Sequence, residues 1–109
     1  MSRAKGNLAE DKACKFLSGN GFTIIQRNFY SRFGEIDIIT SKDGIFHFIE
    51  VKSALEYELA VQNITPQKLH KFIRTVHVYL KKNNLDVAFM IDAVIVTPKD
   101  IDLLENITL

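Results

Sequence analysis

The sequence predicts an α/β fold: one mixed β-sheet flanked by helices, with its elements in the order α-β-β-β-α-β. Three observations predict it. Three β-prone segments follow one another between residues 22 and 52 with only short turns between them. Thr65-Pro66 then opens an amphipathic stretch with a hydroxyl N-cap and a proline at the first helical position. After it comes the apolar run Val87 to Val96, bounded by turn signals, which suits a strand buried on both faces. Strands joined by tight links form an antiparallel meander, and a helical crossover to a further strand makes the sheet mixed.

Each element has its own warrant. Lys5 to Ser18 reads as a helix because Ala9, Ala13, Phe16 and Leu17 recur at helical spacing, and Gly19-Asn20-Gly21 ends the pattern. Glu10 falls at the edge of that apolar stripe, while Asp11, Lys12 and Lys15 take the wet side. Phe22 to Phe29 is β-prone, and Tyr30 to Gly34 turns the chain into the next strand. Gly34 to Lys52 then reads as two strands joined by a turn at Ser41-Lys42-Asp43-Gly44. Ser53 to Ile64 has no clean periodicity and is expected to be an irregular loop. The second helix runs to about Lys82 on the stripe Leu69, Phe72, Ile73, Val76, Tyr79 and Leu80, and Asn83-Asn84 stops it. Asp92 interrupts the last long strand and needs a partner. Pro98 to Leu109 is expected to form a helical turn and a small edge strand.

The strands Gly34 to Lys52 carry the chemistry. Ile36 and Ile38 in one, and Ile45, Ile49 and Val51 in the other, set an apolar parity. Glu35 and Asp37 stand on the opposite parity of the first strand, Glu50 and Lys52 on that of the second. Carboxylates gathered on rigid strands among branched aliphatics need either mutual pairing or a cation. Hard oxygen ligands suit Mg²⁺ or Mn²⁺, which polarise a phosphate and acidify a bound water, with a lysine to neutralise growing charge. A Glu-x-Lys pair alone is a common exposed ion pair. Asp37 one strand away and Glu10 from a separate helix turn it into a candidate site. His47 has core parity, and His70 and His77 fit the helix surface or its flank, so none is selected as a ligand or base.

Composition narrows the classes further. At 109 residues the chain is expected to be a single domain, residues 1–109, with 47% hydrophobic and 25% charged residues. A single cysteine, Cys14, excludes an internal disulfide and a cysteine-rich zinc site. The opening MSRAKGNLAEDK lacks a signal-peptide core and no run reaches transmembrane length, so the cytoplasm is the expected compartment and no membrane partner is expected. A net charge of +1 makes any nucleic-acid footprint local. Lys68, Lys71, Arg74, Lys81 and Lys82 cluster on the second helix, where a solvated face is the simpler reading of charge alone.

G-x-x-A-E-x-x-A at Gly6 to Ala13, Gln26-Arg27-Asn28, Gly34-Glu35-Ile36-Asp37-Ile38-Ile39, Phe48-Ile49-Glu50-Val51-Lys52 and Pro66-Gln67-Lys68 together resemble the YraN-like family of small bacterial proteins. That family is similar to the PD-(D/E)XK nucleases, above all the archaeal Holliday junction resolvases. The resemblance covers almost the whole chain and implies a restriction-endonuclease-like core. It implies that Glu10, Asp37 and Glu50 are metal ligands, that Lys52 is the catalytic lysine, and that Arg27 and Lys68 contact DNA. Glu35 belongs to the family's G-E-I-D pattern without an implied role. The chain departs from the pattern at Ala9, where a glycine is usual, and at Met90-Ile91-Asp92, in place of R-F-D. The function implied is a Mg²⁺- or Mn²⁺-dependent endonuclease, working as a homodimer on branched DNA. The alternative is a nuclease-fold module that binds nucleic acid or protein with little turnover.

Overall fold

The computed structural model describes residues 2–108, and the side chains of residues 8–108. Helix α1 spans Ser2–Gly19, and strands β1 (Thr23–Ser31), β2 (Gly34–Lys42) and β3 (Ile45–Ser53) follow. Next come α2 (Tyr57–Gln62), α3 (Pro66–Lys82), β4 (Phe89–Val96) and β5 (Ile101–Leu104). The strands form one sheet in the order β1-β2-β3-β4-β5. Among the described residues only β3 and β4 run parallel, and α2 with α3 supply the crossover that a parallel pair requires. The expected α-β-β-β-α-β core of an α/β fold is present.

Period-two alternation sorts most of the core into two layers, but it breaks in β2, where Ile36 packs in the α3 layer and Ile38 in the α1 layer instead of sharing one face as expected. On one face, Ala9, Ala13 and Leu17 of α1 pack on Ile38, Ile49, Val94 and Val96. On the other, Phe72, Val76 and Tyr79 of α3 pack on Phe29, Ile39, Phe48 and Ile91. Neighbours such as Phe48 and Ile49 are both fully buried because each meets a different helix. The N-terminus of α3 is built as expected: Thr65 Oγ1 accepts the Lys68 N–H at 3.2 Å ahead of Pro66. Asn84, at φ 50, ends the helix in the left-handed region.

Turns are tighter than the sequence suggested. The β2–β3 turn is only Asp43-Gly44, with Lys42 opposite Ile45. Both turn residues have positive φ, 52 and 79, as a type I′ hairpin needs. The β1–β2 turn is likewise two residues, Arg32-Phe33, between the paired Ser31 and Gly34.

Two expectations require correction. Ser53 to Ile64 is not wholly irregular, since it contains α2, which buries Ala60 against Ala93 and Ile95. Six residues capped by Glu56 without a side-chain bond leave almost no periodic signal. After Pro98 the chain forms no helical turn among the described residues but enters β5, paired antiparallel with β4. No helix among the described residues is long and apolar enough to cross a membrane.

Candidate functional site

The β2–β3 ladder runs from Lys42↔Ile45 to Ile38↔Ile49 and stops there. One residue further on, Asp37 does not pair through its backbone. Its carboxylate Oδ2 instead accepts the Val51 N–H at 2.7 Å. The strands therefore fork at Asp37 and Glu50, and the side chain closes the orphaned donor. The fork opens a cleft of about 340 Å³ whose walls include Glu35, Asp37, Glu50 and Lys52 from the sheet and Lys68 and Lys71 from α3.

Carboxylate oxygens of Glu10, Glu35 and Asp37 all lie within 4.8 Å of one another. Ligand oxygens on an octahedral Mg²⁺ at its usual bond length sit about 3–4 Å apart, so the set fits such an ion with modest tightening. Glu10 comes from α1, where Ala9 just before it and Ala13 three residues on are buried against the sheet. Glu35 and Asp37 come from alternate positions of β2. Glu50 is not part of this triple. Its Oε1 accepts from Lys52 Nζ at 3.0 Å, two residues along the same strand face. Its charge nevertheless acts on Asp37.

The resemblance implies Glu10, Asp37 and Glu50 as the metal ligands; the fold brings Glu10 and Asp37 together with Glu35, while Glu50 pairs with Lys52 beside them. The shared parity of Glu35 and Asp37 was the available signal. Arg27 turns toward α1, donating from Nη1 to Asp11 Oδ1 at 2.8 Å and from Nη2 to Glu10 Oε1 at 3.4 Å. Any contact with DNA has to share that guanidinium with two carboxylates. Lys68 is exposed on the rim. Asp92 finds its partner in His47, a pair remote from the fork in the register of β3 and β4.

Burial is the main reason that the Asp37 carboxyl is pushed up to about 7, with the charges of Glu35, Glu10 and Glu50 adding and the Val51 N–H opposing. Folding therefore takes up a proton at this group. The stability it contributes is complete below about pH 3.8 and is lost as pH rises through about 7. Asp37→Asn keeps an acceptor for Val51 and removes the charge. In EDTA the variant is expected to be more stable than the parent by about 1–3 kcal/mol at pH 8, with the difference vanishing toward pH 4. Urea unfolding at the two pH values checks this. A purely structural ion-pair network predicts the opposite sign.

A model described as "Uncharacterised protein family UPF0102" matches residues 9–96. The chain is 67% identical over 109 residues to a UPF0102 protein of Sulfurimonas denitrificans, with 100% of each chain covered. It is 53% identical over 110 residues to one of Aliarcobacter butzleri and 48% identical over 109 residues to one of Wolinella succinogenes, again with 100% of each chain covered.

Proposed function

This chain belongs to the UPF0102 family, the YraN-like proteins of bacteria, and from that starting point we propose that it is a metal-dependent endonuclease hydrolysing phosphodiester bonds in DNA, with branched, Holliday junction-like DNA as its substrate class. The observation that carries the reading is the strand fork, where Glu35 and Asp37, which Glu10 completes as a tight carboxylate triple, line one cleft with an E-x-K pair and two lysines.

Glu10, Glu35 and Asp37 would hold Mg²⁺ or Mn²⁺, with Glu50 next to them. When bound, such an ion supplies a positive charge for the phosphate oxygens and lowers the pKa of a coordinated water. The remaining work falls to the chain. The Val51 N–H fixes the Asp37 carboxylate, so no reorganisation is needed as charge develops. Lys52 carries its ammonium on the strand face of Glu50 and neutralises the phosphate as water adds to phosphorus and the bond to the departing sugar oxygen breaks. Glu50 holds Lys52 until the phosphate competes for it. Phosphodiester hydrolysis requires a barrier reduction on the order of 20 kcal/mol, and one preorganised cationic donor is worth about 3–4 of that.

A homodimer would set two such sites about a two-fold axis, matching two related strands of a four-way junction. Apolar surface for a second copy to cover exists at Leu8, Leu55 and Leu59, all exposed.

The test is incubation of the purified protein with junction, flap and linear DNA in Mg²⁺, Mn²⁺ or EDTA, alongside calorimetric titration with Mn²⁺. Cleavage of junction DNA in metal, absent in EDTA, is the expected result. A protein that neither binds Mn²⁺ nor cuts any of the three is not a nuclease, and the binding-module alternative takes its place.

A further inference from the structure

Helix α3 carries five of the chain's fourteen Lys and Arg residues and none of its thirteen Asp and Glu residues. In a chain of net charge +1 this is a local concentration, and all five side chains are exposed. No ion pair involves any of them, or Arg32, among the described residues. Two of these cations are gathered onto one ring. The guanidinium carbons of Arg74 and Arg32 lie 4.1 and 4.8 Å from the centroid of Phe33. They come from segments far apart in sequence, and the fold joins them by a specific device. Ser31 Oγ shares a 2.8 Å hydrogen bond with Thr75 Oγ1 and accepts the Phe33 N–H at 3.0 Å, which pins the tip of the β1–β2 hairpin to α3.

Bringing two guanidinium groups together without a carboxylate is unfavourable unless an anion completes the arrangement. Stacking on Phe33 restricts their freedom before any ligand arrives, which lowers the cost of binding one. Phe33 also lines the acidic cleft with Lys68 and Lys71, and a shallow groove with Arg74 and Lys81. We infer that Arg32, Phe33 and Arg74 form a preorganised clamp for the DNA phosphate backbone, continued by Lys71 and Lys68, which leads a strand into the fork between β2 and β3. The identity of the anion as DNA rests on the proposed function; the clamp itself rests on the hairpin–helix geometry. Arg32, Phe33, Lys71 and Arg74 thereby become binding residues, and the basic face of α3 is an occupied surface rather than a solvated one.

The experiment is fluorescence anisotropy of a dye-labelled junction DNA in EDTA, which removes cleavage, repeated over a range of salt concentrations. The double variant R32Q/R74Q should bind at least about tenfold more weakly, with a salt slope shallower by about two. Phe33→Leu keeps both charges and removes the platform, so it should weaken binding by about threefold with the slope unchanged. Lys99→Gln, an exposed cation outside α3 and the hairpin, serves as the control and should bind like the parent. Circular dichroism confirms that each variant is folded. Binding by R32Q/R74Q equal to that of the Lys99→Gln control, or no binding by the parent protein, overturns the clamp. Cleavage by the parent in Mn²⁺ with the clamp overturned leaves the nuclease reading standing. Clamp-dependent binding by a parent that never cuts leaves the clamp standing without it.

Discussion

Replacing Lys52 by methionine should lower metal-dependent cleavage by about 10²–10³-fold while leaving Mn²⁺ affinity undiminished. The two readouts separate because the lysine and the carboxylates act on different charges. In the parent protein Lys52 Nζ sits 3.0 Å from Glu50 Oε1, so part of the negative charge around the fork is already offset. Removing the ammonium restores that charge, which attracts a divalent cation, yet takes away the donor that meets the phosphate. Glu50→Gln should behave differently, losing both Mn²⁺ affinity and cleavage, because a charge that acts on the Asp37 position is gone. Single-turnover cleavage and calorimetry on the two variants give the comparison. Equal loss of metal affinity in both would place Lys52 at the metal rather than at the phosphate. Unaltered cleavage in either would assign the activity to a contaminant. A network holding only the fold together predicts a drop in unfolding midpoint for both and no effect of Mn²⁺ in the parent.

Most of the architecture was readable from the chain because its signals are local. The period-two alternation from Gly34 to Lys52, the Thr65-Pro66 start and the apolar run before Val96 each report on a few adjacent residues. Features that depend on how strands diverge were not readable. Parity put Glu35, Asp37, Glu50 and Lys52 into one neighbourhood, but the end of the β2–β3 ladder at Ile38↔Ile49 decides that Glu35 joins Glu10 and Asp37 while Glu50 turns to Lys52. The resemblance makes Arg27 a DNA contact. Its bond to Asp11 depends on the pairing of α1 with β1, which no local pattern encodes. Helix α2 leaves little trace in the sequence because Ala60 is its one buried residue. The hairpin turn Arg32-Phe33 looked like ordinary connection until its contact with α3 made it part of a surface.

The partner of Asp92 belongs to the same class of long-range fact, and it sets the largest stability effect expected. In the parallel register Ile49 lies opposite Asp92 and His47 opposite Met90, so His47 and Asp92 are diagonal neighbours on the α1 face. Asp92 is fully buried. Its Oδ2 lies 2.6 Å from His47 Nδ1, and its Oδ1 accepts the Asn106 N–H at 2.8 Å. The ring of Phe22 packs edge-on against His47, 5.1 Å between centroids, so little water reaches the pair. Asp92→Ala removes an acceptor from two donors at once and leaves a cavity. The cost should be about 3–5 kcal/mol, a large fraction of the 5–15 kcal/mol that holds a typical domain together. His47→Leu removes one bond and leaves Oδ1 engaged, so it should cost less, about 1–3 kcal/mol. The double variant should cost less than the two singles combined, because neither polar partner is then left alone. Urea unfolding of the three variants provides the cycle, and additive losses would mean that the two side chains act independently. The fraction of His47→Leu that remains folded should bind Mn²⁺ as the parent does, since the backbone ladder from Phe48↔Ile91 to Ser53↔Val96 lies beyond the substituted side chain.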